Sequence, residues 1–320
     1  MLQQVTGGGA FTRQNIAQIN SNFAALSNPD IWVRPSYGNN ATADGSFEKP
    51  YATMAGAFGS PLFRPGIVIG LLGVLTEEVN APIVNDITIR GMANRPRQAT
   101  TSGAPNGGGA TWLSPSGGTG SLLTVNGQAW NIENIYFNNS ATGATTACIS
   151  LTGGGDPPLT ADAGHTRIAG CVFTGEANGI YINGGPGFLV IEDNTFYFFD
   201  SSGDCAILAG GSGGTGYGST IRNNNFAANL THIKGLSAAY GWQVYGNRFS
   251  YIDAGVTTTT QIDFTGGNNN SVHNNVFDVP ETTTGLAAMF VLGTNDRWYF
   301  NMLSSAQATT IFVFGGPQTS

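Results

Sequence analysis

The chain reads as an all-β protein, a right-handed parallel β-helix. Three observations predict that fold: a six-residue motif that returns with a fixed minimum spacing, a second strand motif interleaved with it, and a polar surface that carries little charge.

The first motif is apolar-x-x-Asn-x-Phe. It stands as IEDNTF from Ile191, IRNNNF from Ile221, VYGNRF from Val244 and VHNNVF from Val272, with looser copies from Ile132, Ile168 and Trp298. Its first positions, 132, 168, 191, 221, 244, 272 and 298, never lie closer than 23 residues. A fixed floor with variable excess is the signature of a coil that accepts insertions in its loops.

The second motif is an alternating apolar strand that runs into Gly-Gly. Copies are CISLTGG from Cys148, GIYINGG from Gly179, AILAGG from Ala206, QIDFTGG from Gln261 and IFVFGG from Ile311, with HIKGL from His232 and MFVLGT from Met289 as approximate members. Each coil therefore carries at least two short strands that bury one face and are too short to stand alone. Stacking the coils supplies their partners.

Two columns follow from the first motif. Asn194, Asn224, Asn247, Asn275 and Asn301 are expected to form a hydrogen-bonded ladder, since Asn tolerates the left-handed turn between strands and its amide bonds to the next rung. Phe137, Phe173, Phe196, Phe226, Phe249 and Phe277 are expected to stack inside the coil at the strand spacing of about 4.8 Å. An antiparallel sandwich or a propeller would instead show Asn-Gly hairpins or a period near 40 residues.

Composition narrows the function classes. Charged residues are 10% of the 320, with 47 Gly and a net charge of -7, against about 25% charged in an average domain. The 12 Lys plus Arg are scattered singly, so no basic stripe is offered to a phosphate backbone and nucleic acid is not an expected partner. No charged n-region with an apolar h-region opens the chain, and IVIGLLGVL from Ile67 is too short for membrane insertion. Cys148, Cys171 and Cys205 have no C-x-x-C spacing and read as buried free thiols. No cofactor and no metal site is expected: His165, His232 and His273 fall at different motif positions and read as surface histidines.

Residues 1–30 read as a helical attachment or association segment, because Ile16, Ile19, Phe23 and Leu26 are spaced 3, 4 and 3 after Thr12. Residues 31–66 read as a lead-in loop and a capping helix, with Tyr51, Met54, Ala55 and Phe58 as its apolar face over the first mouth of the coil. Residues 67–320 are the β-helix. The strand motif from Ile311 leaves the last rung expected to be bare and in need of a partner.

The stretch from Ile31 to Phe58, then PGIVIGLLGVLTEEV from Pro65 and ITIRGMANRP from Ile87, resembles the opening of the pectin-lyase-like β-helix virion proteins of tailed bacteriophages. Gly45, Pro50 and Thr53 match the lead-in. Gly73, Thr76 and Glu77 match the first rung, and Ile89, Gly91, Asn94, Arg95 and Pro96 the closing turn, while Lys49 stands where Asn is usual. The resemblance implies a structural protein of the virion, made in the host cytoplasm: a tail spike, tail fibre or decoration protein. It further implies a homotrimer, joined to other virion proteins through the N-terminal segment, with host surface glycan as a candidate partner. The alternative it carries is a glycan depolymerase, a glycosidase or lyase.

The chemistry in the sequence is sparse. Residues after each first-motif position, Glu133, Ala169, Glu192, Arg222, Tyr245, His273 and Tyr299, should form one outward stripe, in which Glu192 and Arg222 would pair as a surface salt bridge. Glycoside hydrolysis needs two neighbouring carboxyl groups, and Asp200, Asp204, Asp253 and Asp263 are the catalytic candidates by elimination. Tyr181, Tyr197, Tyr245 and Tyr299 are candidate platforms for sugar rings.

Overall fold

The computed structural model describes residues 28–92, 109–153, 161–201, 203–210, 216–236, 239–253, 256–279, 289–304 and 309–314. The expected helix with its Ile16, Ile19, Phe23 and Leu26 seam, and the turn at Asn94, Arg95 and Pro96, lie outside the described residues.

The chain coils as a right-handed parallel β-helix with three parallel sheets running along its axis. The first sheet descends through the inward file Ile31, Ile69, Ile89, Ile132, Ile168, Ile191, Ile221, Val244, Val272 and Trp298, in unbroken register. All are buried. These include every first position of the six-residue motif.

The motif itself spans two strands rather than one. Val190–Glu192 belongs to the first sheet and Thr195–Tyr197 to the second, with a sharp bend between them. The residue that takes the left-handed conformation there is the one before the motif's fourth position, which is the ladder asparagine from Asn194 on: Asn134, Gly170, Asp193, Asn223, Gly246, Asn274 and Phe300 all have φ between 53° and 67°. The expectation that the ladder asparagine makes the left-handed turn is thus corrected. The two jobs are divided between adjacent residues, because an amide directed into the coil cannot also stand at the outward bend.

The ladder itself forms as expected. Each asparagine after Asn194 receives the backbone N–H of the asparagine above on its Oδ1, from Asn194 to Asn224 at 2.9 Å through Asn275 to Asn301 at 3.1 Å, and Asn194 receives that of Cys171. Each Nδ2 also donates to the carbonyl of a residue one rung back, as Asn224 does to Ile191 at 2.9 Å. The phenylalanine column lies beside it in the second sheet. Its five ring-to-ring steps are 5.2, 4.9, 4.9, 4.7 and 4.7 Å with planes within 11°, and each such pair contributes about 0.5–1.5 kcal/mol beyond area burial.

The second motif builds the third sheet, through Leu123, Ile149, Ile180, Ile207, Ile233, Ile262 and Phe290. Its middle strands bury both faces, not one. Outward Tyr181 and Leu208 are 6% and 9% exposed in a small cluster with Ala147 and Cys205, against which Leu236 packs. The three cysteines are buried free thiols.

The copy from Ile311 departs from its siblings. Thr309–Phe314 turns back to pair antiparallel with Arg297–Ser304, the last rung of the first and second sheets. The bare final rung expected from the sequence is therefore corrected for those two sheets.

At the other end the capping helix is a single turn, Met54–Phe58, capped by the Thr53 side chain. It buries Met54 and Ala57, whereas Ala55 is exposed and Tyr51 is extended, bridging Val33. The expected four-residue stripe is thereby shortened. A 3.6-residue period read across Tyr51 overran the point where the backbone is still strand. Glu77 reaches back from the first full rung, its carboxylate accepting the N–H of Met54 and of Ala55. Gly91 is required by close approach, since a Cβ there would sit 1.9 Å from the Asn134 carbonyl.

No helix among the described residues is long and apolar enough to cross a membrane.

Candidate active site

The outward stripe of the first sheet forms as the motif requires: Arg90, Glu133, Ala169, Glu192, Arg222, Tyr245, His273 and Tyr299 lie in register on successive rungs. Its charged half is bound up in ion pairs. Arg90 pairs with Glu133, and Glu192 is held between Arg167 Nε and Arg222 Nε, both at 2.6 Å. Burial alone would push the Glu192 carboxyl up, but the two guanidinium groups outweigh it and hold it below the usual range. The pair expected from the sequence is therefore a three-member bridge. Arg167, from the neighbouring file, reaches into the space left by Ala169. That space is a shallow depression of about 400 Å³ lined by Glu133, Asn134, Arg167, Ala169, Gly170 and Asp193.

The aromatic half of the stripe is closed on itself. His273 is stacked between Tyr245 and Tyr299 at 5.1 and 4.8 Å, with planes within 7°. Tyr181 is buried and Tyr197 packs edge-on against Phe198 at 4.0 Å. Burial withdraws Tyr181 from the expected sugar platforms, while Tyr245 and Tyr299 each give one ring face to His273. In-register stacking that holds the core together acts equally on aromatic files outside it.

Histidine 232 is also corrected. It is fully buried, its ring against Phe226 and Phe249, each at 5.6 Å. Its Nε2 lies 2.8 Å from the Ser250 carbonyl, which only accepts, and its Nδ1 lies 3.2 Å from the Asn229 amide nitrogen, which donates. The Asn229 amide is oriented by giving to the Phe196 carbonyl and taking from the Phe199 N–H. The imidazole is therefore neutral with its proton on Nε2, and desolvation pushes its pKa down to about 4.

Four aspartates were the sequence candidates for catalysis, and two of them come together. Asp204 stands on the approach to the third-sheet strand Ile207–Gly210. It is 6% exposed, and its Oδ2 is buried with no hydrogen-bond partner among the described residues. Desolvation first, then the charges of Asp200 and Glu176, lift its carboxyl to about 6. Asp200 and Glu176 are exposed, the latter one rung back.

Asp263 closes the strand Thr260–Asp263, beside Lys234 in register, and its Oδ1 accepts from the N–H and hydroxyl of Thr265 at 2.9 and 2.6 Å. Much of that carboxylate is thereby committed to a turn. Asp253 lies in a small antiparallel hairpin, Ile252–Asp253 against Val256–Thr257, and its side chain is outside the described residues. Sequence reasoning missed Glu176. Its only signal was its place just before the second strand motif, one residue out of register with Asp204 on the next rung.

A carboxyl that is buried, unsatisfied and set among like charges keeps its proton to higher pH than an exposed one and can donate it. Its neighbours remain as candidate base or nucleophile, the division of labour that glycoside hydrolysis requires. Among the described residues, no group of three His, Cys, Asp or Glu side chains is placed to hold a metal ion.

No protein-family profile matches the chain, and no curated protein sequence does. Solved structures do. The pectin methylesterase from Aspergillus niger in deglycosylated form is 15% identical, aligned over 88% of this chain and 87% of its own, with a TM-score of 0.51. The pectin methylesterase from carrot is 14% identical over 88% and 84%, with a TM-score of 0.45. The DFA-IIIase from Arthrobacter chlorophenolicus A6 is 14% identical over 94% and 82%, with a TM-score of 0.41. The likeness to the Aspergillus structure shows the fold, a right-handed parallel β-helix.

Proposed function

We propose that this β-helix hydrolyses glycosidic bonds of a surface polysaccharide, with Asp204 as the general acid and Asp200 or Glu176 as the second carboxylate. The observation that carries this reading is the Asp204 carboxyl, buried, with an oxygen that has no partner among the described residues and two negative groups beside it. In the reaction Asp204 gives its proton to the leaving glycosidic oxygen. The second carboxylate either activates water or attacks the anomeric carbon, depending on the gap between the two. Sharing a fold with pectin methylesterases does not supply this chemistry; the site must.

The test is release of reducing ends from purified bacterial envelope polysaccharide. Asp204→Asn should remove at least 100-fold of the rate with an unchanged circular dichroism spectrum. Of Asp200→Asn and Glu176→Gln, one should be comparably impaired. Wild-type protein that releases nothing from any envelope fraction would overturn the reading.

The resemblance of the opening motifs supports a second, compatible reading: a spike, fibre or decoration protein of a tailed phage particle. In it the chain is made in the host cytoplasm, joined to other virion proteins through residues 1–30 and assembled as a homotrimer. The end of the third sheet at Phe290–Val291 supports association, since no further strand pairs with it among the described residues. Peptide mass fingerprinting of purified particles tests the location, and sedimentation of the full chain tests the trimer. Absence from the particle, or a monomer at micromolar concentration, would remove the respective part.

A further inference from the structure

Resting on the hydrolase reading, we infer that the glycan taken at the Asp204 site is neutral or amino-bearing at the sugars bound there, and not a uronate polymer. The argument is the charge the fold assembles on the outer side of the third sheet. Glu176 and Asp200 both act on Asp204, and Cys205, next in sequence, lies within the fields of Lys234, Asp204 and Asp263. The outward file beside them runs Tyr181, Leu208, Lys234 and Asp263 in register. Four carboxyl groups thus share a neighbourhood with one ammonium.

A carboxylate-bearing sugar needs cations to replace its hydration, and a fork of arginine is the usual device. The arginines of the first sheet are engaged, Arg90, Arg167 and Arg222 being bound to Glu133 and Glu192, and exposed Arg248 stands on the second sheet two rungs past Thr195. The whole chain carries -7, so long-range steering also disfavours an anionic polymer. Lys234 stands beside Asp263 in register, so the one ammonium has a carboxylate on the adjoining rung.

An anionic substrate would also hold the proton on Asp204 more tightly, weakening the acid.

The test measures binding and cleavage with three polymers of similar length: a neutral galactomannan, chitosan, and polygalacturonate, at pH 6 in 0.05 M and 0.5 M NaCl. Retardation in affinity gels is expected with galactomannan or chitosan, with polygalacturonate at least tenfold weaker and the gap narrowing at high salt. The double variant Asp200→Asn, Glu176→Gln should narrow it at low salt. Polygalacturonate bound or cleaved as well as the others overturns the inference and leaves the hydrolase reading standing. If none of the three is bound the inference falls, and reducing-end release from envelope fractions then decides the hydrolase reading separately.

Discussion

Asn224 and Asn247 are joined twice: the Oδ1 of Asn247 accepts both the backbone N–H of Asn224, at 2.9 Å, and its side-chain Nδ2, at 3.0 Å. Asn247 also gives its own Nδ2 to the Ile221 carbonyl at 2.9 Å. Replacing Asn247 by Leu strands buried partners at about 1–3 kcal/mol each. The expected loss is therefore about 3 kcal/mol or more in urea unfolding, and an unchanged midpoint would refute the ladder's role.

Phe226 lies in the middle of the stacked column and also supports the His232 ring. Phe226→Ala opens a cavity between two rings that are fixed by their own strands, so little collapse is available. A loss of about 3–5 kcal/mol is expected. Phe226→Leu should recover roughly half of it in the same measurement.

Glu192→Gln keeps the shape of the bridge and removes its charge. Arg167 and Arg222 are about two-fifths exposed, and solvent screens them. The expected cost is accordingly about 1–2 kcal/mol, shrinking in 1 M NaCl. Because the Glu192 carboxyl is held below its ordinary range, the bridge stabilises the fold above that range. It is lost as pH falls through the folded value, so wild type and variant should converge in acid.

His232 and Asp204 give opposite slopes in nearly the same pH window. The unfolded chain takes a proton on His232 near 6.5 that the fold refuses until about 4, so stability falls as pH drops between them, by on the order of 3 kcal/mol. Asp204 runs the other way. Its folded carboxyl keeps a proton to about 6 that the unfolded chain releases near 4, so stability falls as pH rises through that interval. Asp204→Asn should therefore steepen the acid-side loss of stability, and His232→Gln should flatten it. Chemical unfolding at pH 4, 5, 6 and 7 would show both, and parallel curves for the three proteins would contradict the assignments.

The fold was legible because stacking requires like residues at like positions, and that repetition is written in the chain from Ile132 to Trp298. What the repeat could not show was where a strand bends. Asp193 and Asn194 look interchangeable in sequence, yet only the first turns left-handed. The same blindness shortened the capping helix and hid the reversal of Thr309–Phe314, whose apolar alternation serves an antiparallel partner as readily as a parallel one. The site was less legible. Asp200, Asp204 and Glu176 lie in loops whose lengths vary from rung to rung, so their meeting depends on the path of the chain outside the repeat. His232 looked like a surface residue because a strand motif alone does not reveal that the neighbouring turn folds over it.

The ladder and the three sheets align their inter-rung hydrogen bonds with the axis of the coil, whereas the covalent chain circles around it. The protein is consequently anisotropic under force. Tension along the axis loads the hydrogen bonds and would peel the rod one coil at a time, each step releasing a length of chain set by that coil's loops. A squeeze across the axis meets the stacked rings of Phe137 through Phe277, which have nowhere to yield. Such a body is stiff against bending and crushing and gives way only when pulled from its end.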